Sequence, residues 1–176
     1  MSRSIVFVSG SPSSASRSSL VAESVASFVK EAGFEVRRFS VRDFDPADLL
    51  FARVEAPAVK AFLDAAKEAA AIVVSSPVYK GTYAGALKVI VDLIPPDALA
   101  ERPALGIATA RVAAHSAGVS EAYVRLFAFF RAHAAEPLVV LDEDIRTEEG
   151  VGGFQPSAKA RIEAASLAFL APLGRQ

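Results

Sequence analysis

An open, doubly wound α/β fold is the architecture this sequence predicts, with five parallel strands in the order 2-1-3-4-5, helices on both faces, and residues 1–176 as one domain. Three observations carry it. Short β-branched runs alternate with amphipathic stretches of helical spacing, the pattern of right-handed βαβ crossovers. Hydrophobic residues make up 52% of the chain, an excess that a parallel sheet covered on both faces would hide. A serine-rich loop separates the first strand from the first helix, at the edge where such sheets bind ligands.

The elements follow in order. Residues 5–8, Ile-Val-Phe-Val, read as a buried strand, and 18–32 as an amphipathic helix ended by Gly33 after Lys30 and Glu31. Residues 34–39 alternate apolar with charged side chains, as an edge or near-edge strand does. The stretch 43–53 reads as a loop that packs Leu49, Leu50 and Phe51 against a neighbour. Val59, Phe62, Leu63 and Ala66 give 55–68 a helical stripe, which leads into a third strand at 71–75. A loop spans 76–83, and a short apolar helix spans 84–94, stopped by Pro95 and Pro96. The fourth strand is 104–109, 111–118 is irregular, 120–134 is helical and 138–141 is the fifth strand. Residues 148–156 carry three glycines and read as a mobile loop before the last helix at 157–170.

In this order of strands, three loops meet beyond the carboxyl ends: 10–18, 76–83 and 109–116. The first suits an anion. Its serines are dense, Arg17 is a planar cation with five donors, Gly10 permits close backbone approach, and the following helix presents its amides. Serine also serves simply as a turn and N-cap residue, so the loop alone leaves that plainer reading open. It lacks both the Walker ending and the three-glycine dinucleotide fingerprint, which leaves a phosphomonoester as the natural guest. The second loop suits a planar ring: Pro77 stiffens the backbone, and Tyr79 and Tyr83 add aromatic edges, with Tyr83 equally suited to a subunit contact.

Composition excludes much. The formal net charge is -1 with no basic run, against nucleic acid as a partner, and no apolar run reaches about 18 residues without a charge, against a membrane span. With no cysteine and two histidines, disulfides, thiolate catalysis and Cys-based metal sites are out and no metal is expected. No signal-type segment opens the chain, so a cytoplasmic location is expected. Leu126, Phe127, Phe129 and Phe130 lie on more than one face of their helix, which predicts a subunit interface there.

The two loops together carry a resemblance. Gly10-Ser11-Pro12 with Ser16-Arg17-Ser18-Ser19, then Ser76-Pro77-Val78-Tyr79-Lys80 and Tyr83-Ala84-Gly85-Ala86-Leu87-Lys88, resemble the NADPH-dependent FMN reductases of two-component alkanesulfonate and methanesulfonate monooxygenase systems. Residues 49–53 and 126–133 extend the likeness over most of the chain. It implies a flavodoxin-like fold, a homodimer or homotetramer, and reduction of FMN by NADPH or NADH with release of reduced flavin to a partner monooxygenase. By position, Ser11, Ser16, Arg17, Ser18 and Ser19 would hold the FMN phosphate, and Pro77, Val78, Tyr79 and Lys80 would lie along the ring. Thr109, Ala110 and Arg111 would complete the site. No protein acid or base is implied, since hydride transfer is the cofactors' own chemistry.

One departure stands out. Where the family has glycines after the fourth strand, this chain has Ala108-Thr109-Ala110-Arg111-Val112. Arg111 either brings a cation to the pyrimidine side of the ring, favouring an anionic reduced flavin, or faces solvent or an acidic partner. Three alternatives stay open. The chain could be a quinone, azo-compound or chromate reductase with bound FMN, a flavodoxin-like electron carrier, or a member that has lost flavin binding.

Overall fold

The computed structural model describes residues 4–148 and 151–174. Strand β1 (Ser4–Ser9) leads into α1 (Arg17–Glu31), β2 (Glu35–Ser40), α2 (Pro46–Leu50) and α3 (Pro57–Glu68). Then come β3 (Ala71–Tyr79), β4 (Thr82–Tyr83), α4 (Gly85–Val91), β5 (Pro103–Ala110) and α5 (Ser116–Phe129). Strands β6 (His133–Ala134), β7 (Leu138–Leu141), β8 (Ile145–Glu148) and β9 (Val151–Phe154) precede the last helix, α6 (Pro156–Leu170).

The sheet runs β2-β1-β3-β5, with β6 and β7 both parallel to the outer edge of β5. Those two are one strand interrupted at 135–137, where Pro137 has no N–H to give a ladder. Counted that way, the order is the expected 2-1-3-4-5 of a flavodoxin-like fold. Strand β5 is buried throughout and β3 as far as Ser76, whereas β2 is half-exposed, as an edge strand is.

Two cores cover the sheet. On one face Val59 and Phe62 of α3, Leu87 and Ile90 of α4, and Tyr123 and Phe127 of α5 pack on Val6, Val8, Ile72 and Val74. On the other, Val21, Val25 and Val29 of α1 and Ile162 and Phe169 of α6 pack on Ile5, Phe7, Val73 and Ile107. The Tyr123 ring lies against β5 and its hydroxyl donates to the Ile107 carbonyl at 2.8 Å. A Cβ on Gly106 would sit 2.4 Å from that ring, so a side chain there is incompatible with the ring's position.

Several expectations need correction. The segment expected as a loop at 43–53 contains α2, and of the three residues expected to pack only Leu49 is buried, while Leu50 and Phe51 are 69% and 68% exposed. The loop at 76–83 is a continuation of β3 turning into β4. The expected mobile loop at 148–156 is mostly the hairpin of β8 and β9, paired from Ile145↔Phe154 to Glu148↔Val151, with 149–150 outside the described residues. Helix α5 begins and ends earlier than expected, and Phe127 and Phe130 belong to the chain's own core, leaving Phe129 exposed at 66%.

Gly10 is also explained differently. A Cβ there would lie 2.2 Å from the Leu87 Cβ and 2.6 Å from its Cα, so the glycine makes room for α4 and not for a ligand. Gly10→Ala should therefore cost at least about 2 kcal/mol, because the obstacle is backbone that has to move. Thermal and urea unfolding check this, and an unchanged midpoint would contradict it.

Candidate functional site

The carboxyl ends of β1, β3, β5 and β7 open into a cleft of about 350 Å³. Its walls include Ser11, Ser16 and Arg17 from the first loop, and Pro77, Val78 and Tyr79 from the end of β3. Thr109 and Arg111 close it from β5, and Asp142 from the turn after β7. Eight of the twelve residues expected at the site thus line one cavity.

The first loop is organised by its own hydroxyls. Ser16 is the N-cap of α1, its side chain accepting from the Ser19 amide at 3.2 Å and lying 3.0 Å from the Ser18 hydroxyl. The Ser9 and Ser19 hydroxyls pair at 2.9 Å, and the Ser11 side chain accepts from the Ser13 amide at 3.3 Å. Ser18 is fully buried and does not line the cleft, and Ser19 faces a smaller adjoining cavity with Ser9, Arg38 and Ser75. In that cavity the Ser75 hydroxyl is buried without a partner among the described residues. The cap satisfies Ser19 and leaves the Arg17 and Ser18 amides, first of the helix, with no hydrogen bond among the described residues. These free donors, at the positive end of a 15-residue helix, point to an anion.

The second loop is a two-residue hairpin. Val78 pairs with Tyr83 and Tyr79 with Thr82, and Lys80 and Gly81 both take positive φ, 55° and 85°. That is the twisted turn a tight hairpin requires. The Ser76 hydroxyl accepts from the Ala84 amide and donates to the Pro77 carbonyl, each at 2.8 Å, which ties the hairpin to the start of α4. Gly118 lets α5 rise beneath it: a Cβ there would meet the Gly81 carbonyl at 2.8 Å. Tyr79 is half-exposed at the cleft, whereas Lys80 is exposed at the turn and outside the lining. Tyr83 turns away and packs against Tyr123, ring centroids 5.3 Å apart and the planes tilted by 31°. Burial raises both phenol pKa values, that of Tyr123 far above the ordinary range, so neither is an acid or base near neutrality.

At the third loop, Ala110 directs its methyl into the core beneath the cleft, and Arg111 lies in the wall. Arg111 is exposed and pairs with no acid among the described residues. Sequence reasoning missed Asp142. Its carboxylate meets the Arg17 guanidinium at 3.4 Å, both groups partly open to solvent. The rule that picked out the ends of strands one, three and four, applied to the fifth, would have found it.

A flavodoxin-like sheet with a phosphate-suited helix start and an aromatic lip defines a class of α/β flavoprotein. The comparisons narrow it. The profile of the NADPH-dependent FMN reductase family matches residues 3–145. An Escherichia coli FMN reductase (NADPH) is 32% identical over 98% of this chain and 91% of its own length. A second, from Pseudomonas putida, is 42% identical over 67% of this chain, and that match spans 60% of the relative. Among solved structures, an NADH:FMN oxidoreductase in its apo form superposes with a TM-score of 0.88 at 26% identity, covering 98% of this chain and 91% of that one. The chain belongs to the NADPH-dependent FMN reductase family and is an oxidoreductase.

Proposed function

We propose that this cleft seats FMN, that NAD(P)H reduces it there, and that reduced flavin leaves to serve a partner monooxygenase. The observation that carries the reading is the convergence of Arg17, Arg111, Ser11, Ser16 and the free amides of α1 beside the lip formed by Pro77 and Tyr79. That donor set fits a phosphomonoester joined to a flat ring. FMN when bound supplies the hydride acceptor. Arg17 and the α1 amides hold the phosphate, Ser11 and Ser16 orient it, and the backbone of 77–80 fixes the plane of the ring. Arg111 sets a cation beside the ring and favours negative charge on it. The hairpin, tied by Ser76 and propped by Gly118, keeps its shape at the ring face.

Reduced-flavin export is supported by the cleft's openness: Arg17, Tyr79 and Arg111 are all substantially exposed, so flavin is weakly enclosed. A second copy of this chain is the proposed occupant of a groove of about 660 Å³ between α4 and α5, where Phe129 and Leu126 are flanked by Lys88–Asp92 and Arg125–Glu121. A two-fold contact pairs a patch with itself and so needs both signs within it, as here. The hairpin joins the two regions, with Tyr79 at the cleft and Tyr83 at the groove.

Flavin-free protein titrated with FMN and then given NADPH should oxidise it at a rate that rises with added FMN. One stoichiometric reduction of tightly held flavin would instead indicate a bound FMN serving a quinone, azo compound or chromate, or a flavodoxin-like carrier. Arg17→Ala should weaken FMN binding by about 1.5–3 kcal/mol, read by flavin fluorescence, and unchanged affinity would place the phosphate elsewhere. Phe129→Asp should lower the mass seen by light scattering, since a charge in an apolar contact is costly; the wild-type mass would refute the groove as the interface.

A further inference from the structure

We infer that Asp142 is an exchange residue: its carboxylate competes with the flavin phosphate for Arg17 and keeps FMN affinity low enough for the reduced flavin to leave. The inference rests on the FMN reading of the cleft. Asp142 sits in the cleft wall because β7 pairs with β5 through Ala110↔Leu141, so the next residue of each strand, Arg111 and Asp142, reaches the same mouth. Arg17 comes from the opposite side, at the start of α1, and its guanidinium meets the Asp142 carboxylate at 3.4 Å.

This contact is single and open, with 50% of the Arg17 side chain and 30% of the Asp142 side chain exposed. Pairs of that kind are held loosely, so an incoming phosphate can draw the guanidinium away. The carboxylate stays in the wall. A phosphomonoester carries nearly two negative charges at neutral pH, and Asp142 then repels it through a medium less screening than bulk water. Arg17 therefore has two clients, and its release from one is part of its binding to the other. A residue serving only to trap a prosthetic flavin would gain nothing from an acid at this position. For a flavin that must come and go, the acid shortens its stay.

The test compares wild type, Asp142→Asn and Asp142→Glu, with FMN and with riboflavin, which has the same ring and no phosphate. Fluorescence titration gives affinity and stopped-flow dilution gives release. Asp142→Asn should bind FMN about three- to tenfold more tightly, mainly through slower release, and bind riboflavin as wild type does. Asp142→Glu, which keeps the charge, should stay near wild type. Equal FMN affinity for Asp142→Asn and wild type would overturn the inference. So would weaker FMN binding with riboflavin unchanged, which would make Asp142 a brace for Arg17, or a parallel change for both flavins, which would mark a structural effect. Failure of the site reading has its own signature: wild type and Arg17→Ala would then bind FMN equally.

Discussion

Strands covered on both faces have no water to satisfy their N–H and C=O groups, so β3 and β5 must exhaust them on their neighbours. Here they do so by pairing in parallel with β1 and β7 and with each other, parallel pairing requires crossover connections, and every such crossover leaves the sheet at the same edge. Four loops, from β1, β3, β5 and β7, are thereby brought to one place whatever their composition. The cleft is a consequence of how the sheet satisfies its backbone. Its chemistry is what the loops happen to carry there.

The first loop shows how polar groups divide their duties. Its serines look like a row of donors for a ligand, yet Ser9, Ser16, Ser18 and Ser19 are engaged with one another and with the helix cap. Their contribution is to fix the start of α1 so that two backbone amides remain free and Arg17 stands at the rim. Small hydroxyls do this cheaply because each both donates and accepts. The donors presented at the rim therefore come more from the backbone and from two arginines than from the hydroxyls.

The hairpin of β3 and β4 does comparable work between two surfaces. One of its faces offers Tyr79 to the cleft and the other packs Tyr83 against Tyr123, at the head of the α4–α5 groove. Backbone packing holds it from below, where Gly118 meets Gly81, and the Ser76 hydroxyl holds it from behind by accepting from the Ala84 amide. Whatever fills the groove touches the same rigid piece that borders the cleft. The groove and the lip of the cleft are thus mechanically joined.

Sequence by itself determined the alternation of elements, the order of the strands and the three loops that face the ligand edge, because these follow from local periodicity and from the handedness of crossovers. It also singled out Arg17, Tyr79 and Arg111, whose side chains are conspicuous in their loops. Only tertiary structure decided the rest. Lys80-Gly81 is no strong hairpin signal, so the tight turn emerged from the pairing of Val78 with Tyr83. Helix α5 is apolar almost all round, and periodicity could not say that Phe127 and Phe130 turn inward while Phe129 stays out. Gly10 looked like an opening for phosphate and proved to be the seat of Leu87, and Asp142, over 120 residues from Arg17, meets it only through the sheet. Contacts between segments distant in the chain leave no periodic trace in either one, and only the folded sheet brings them together.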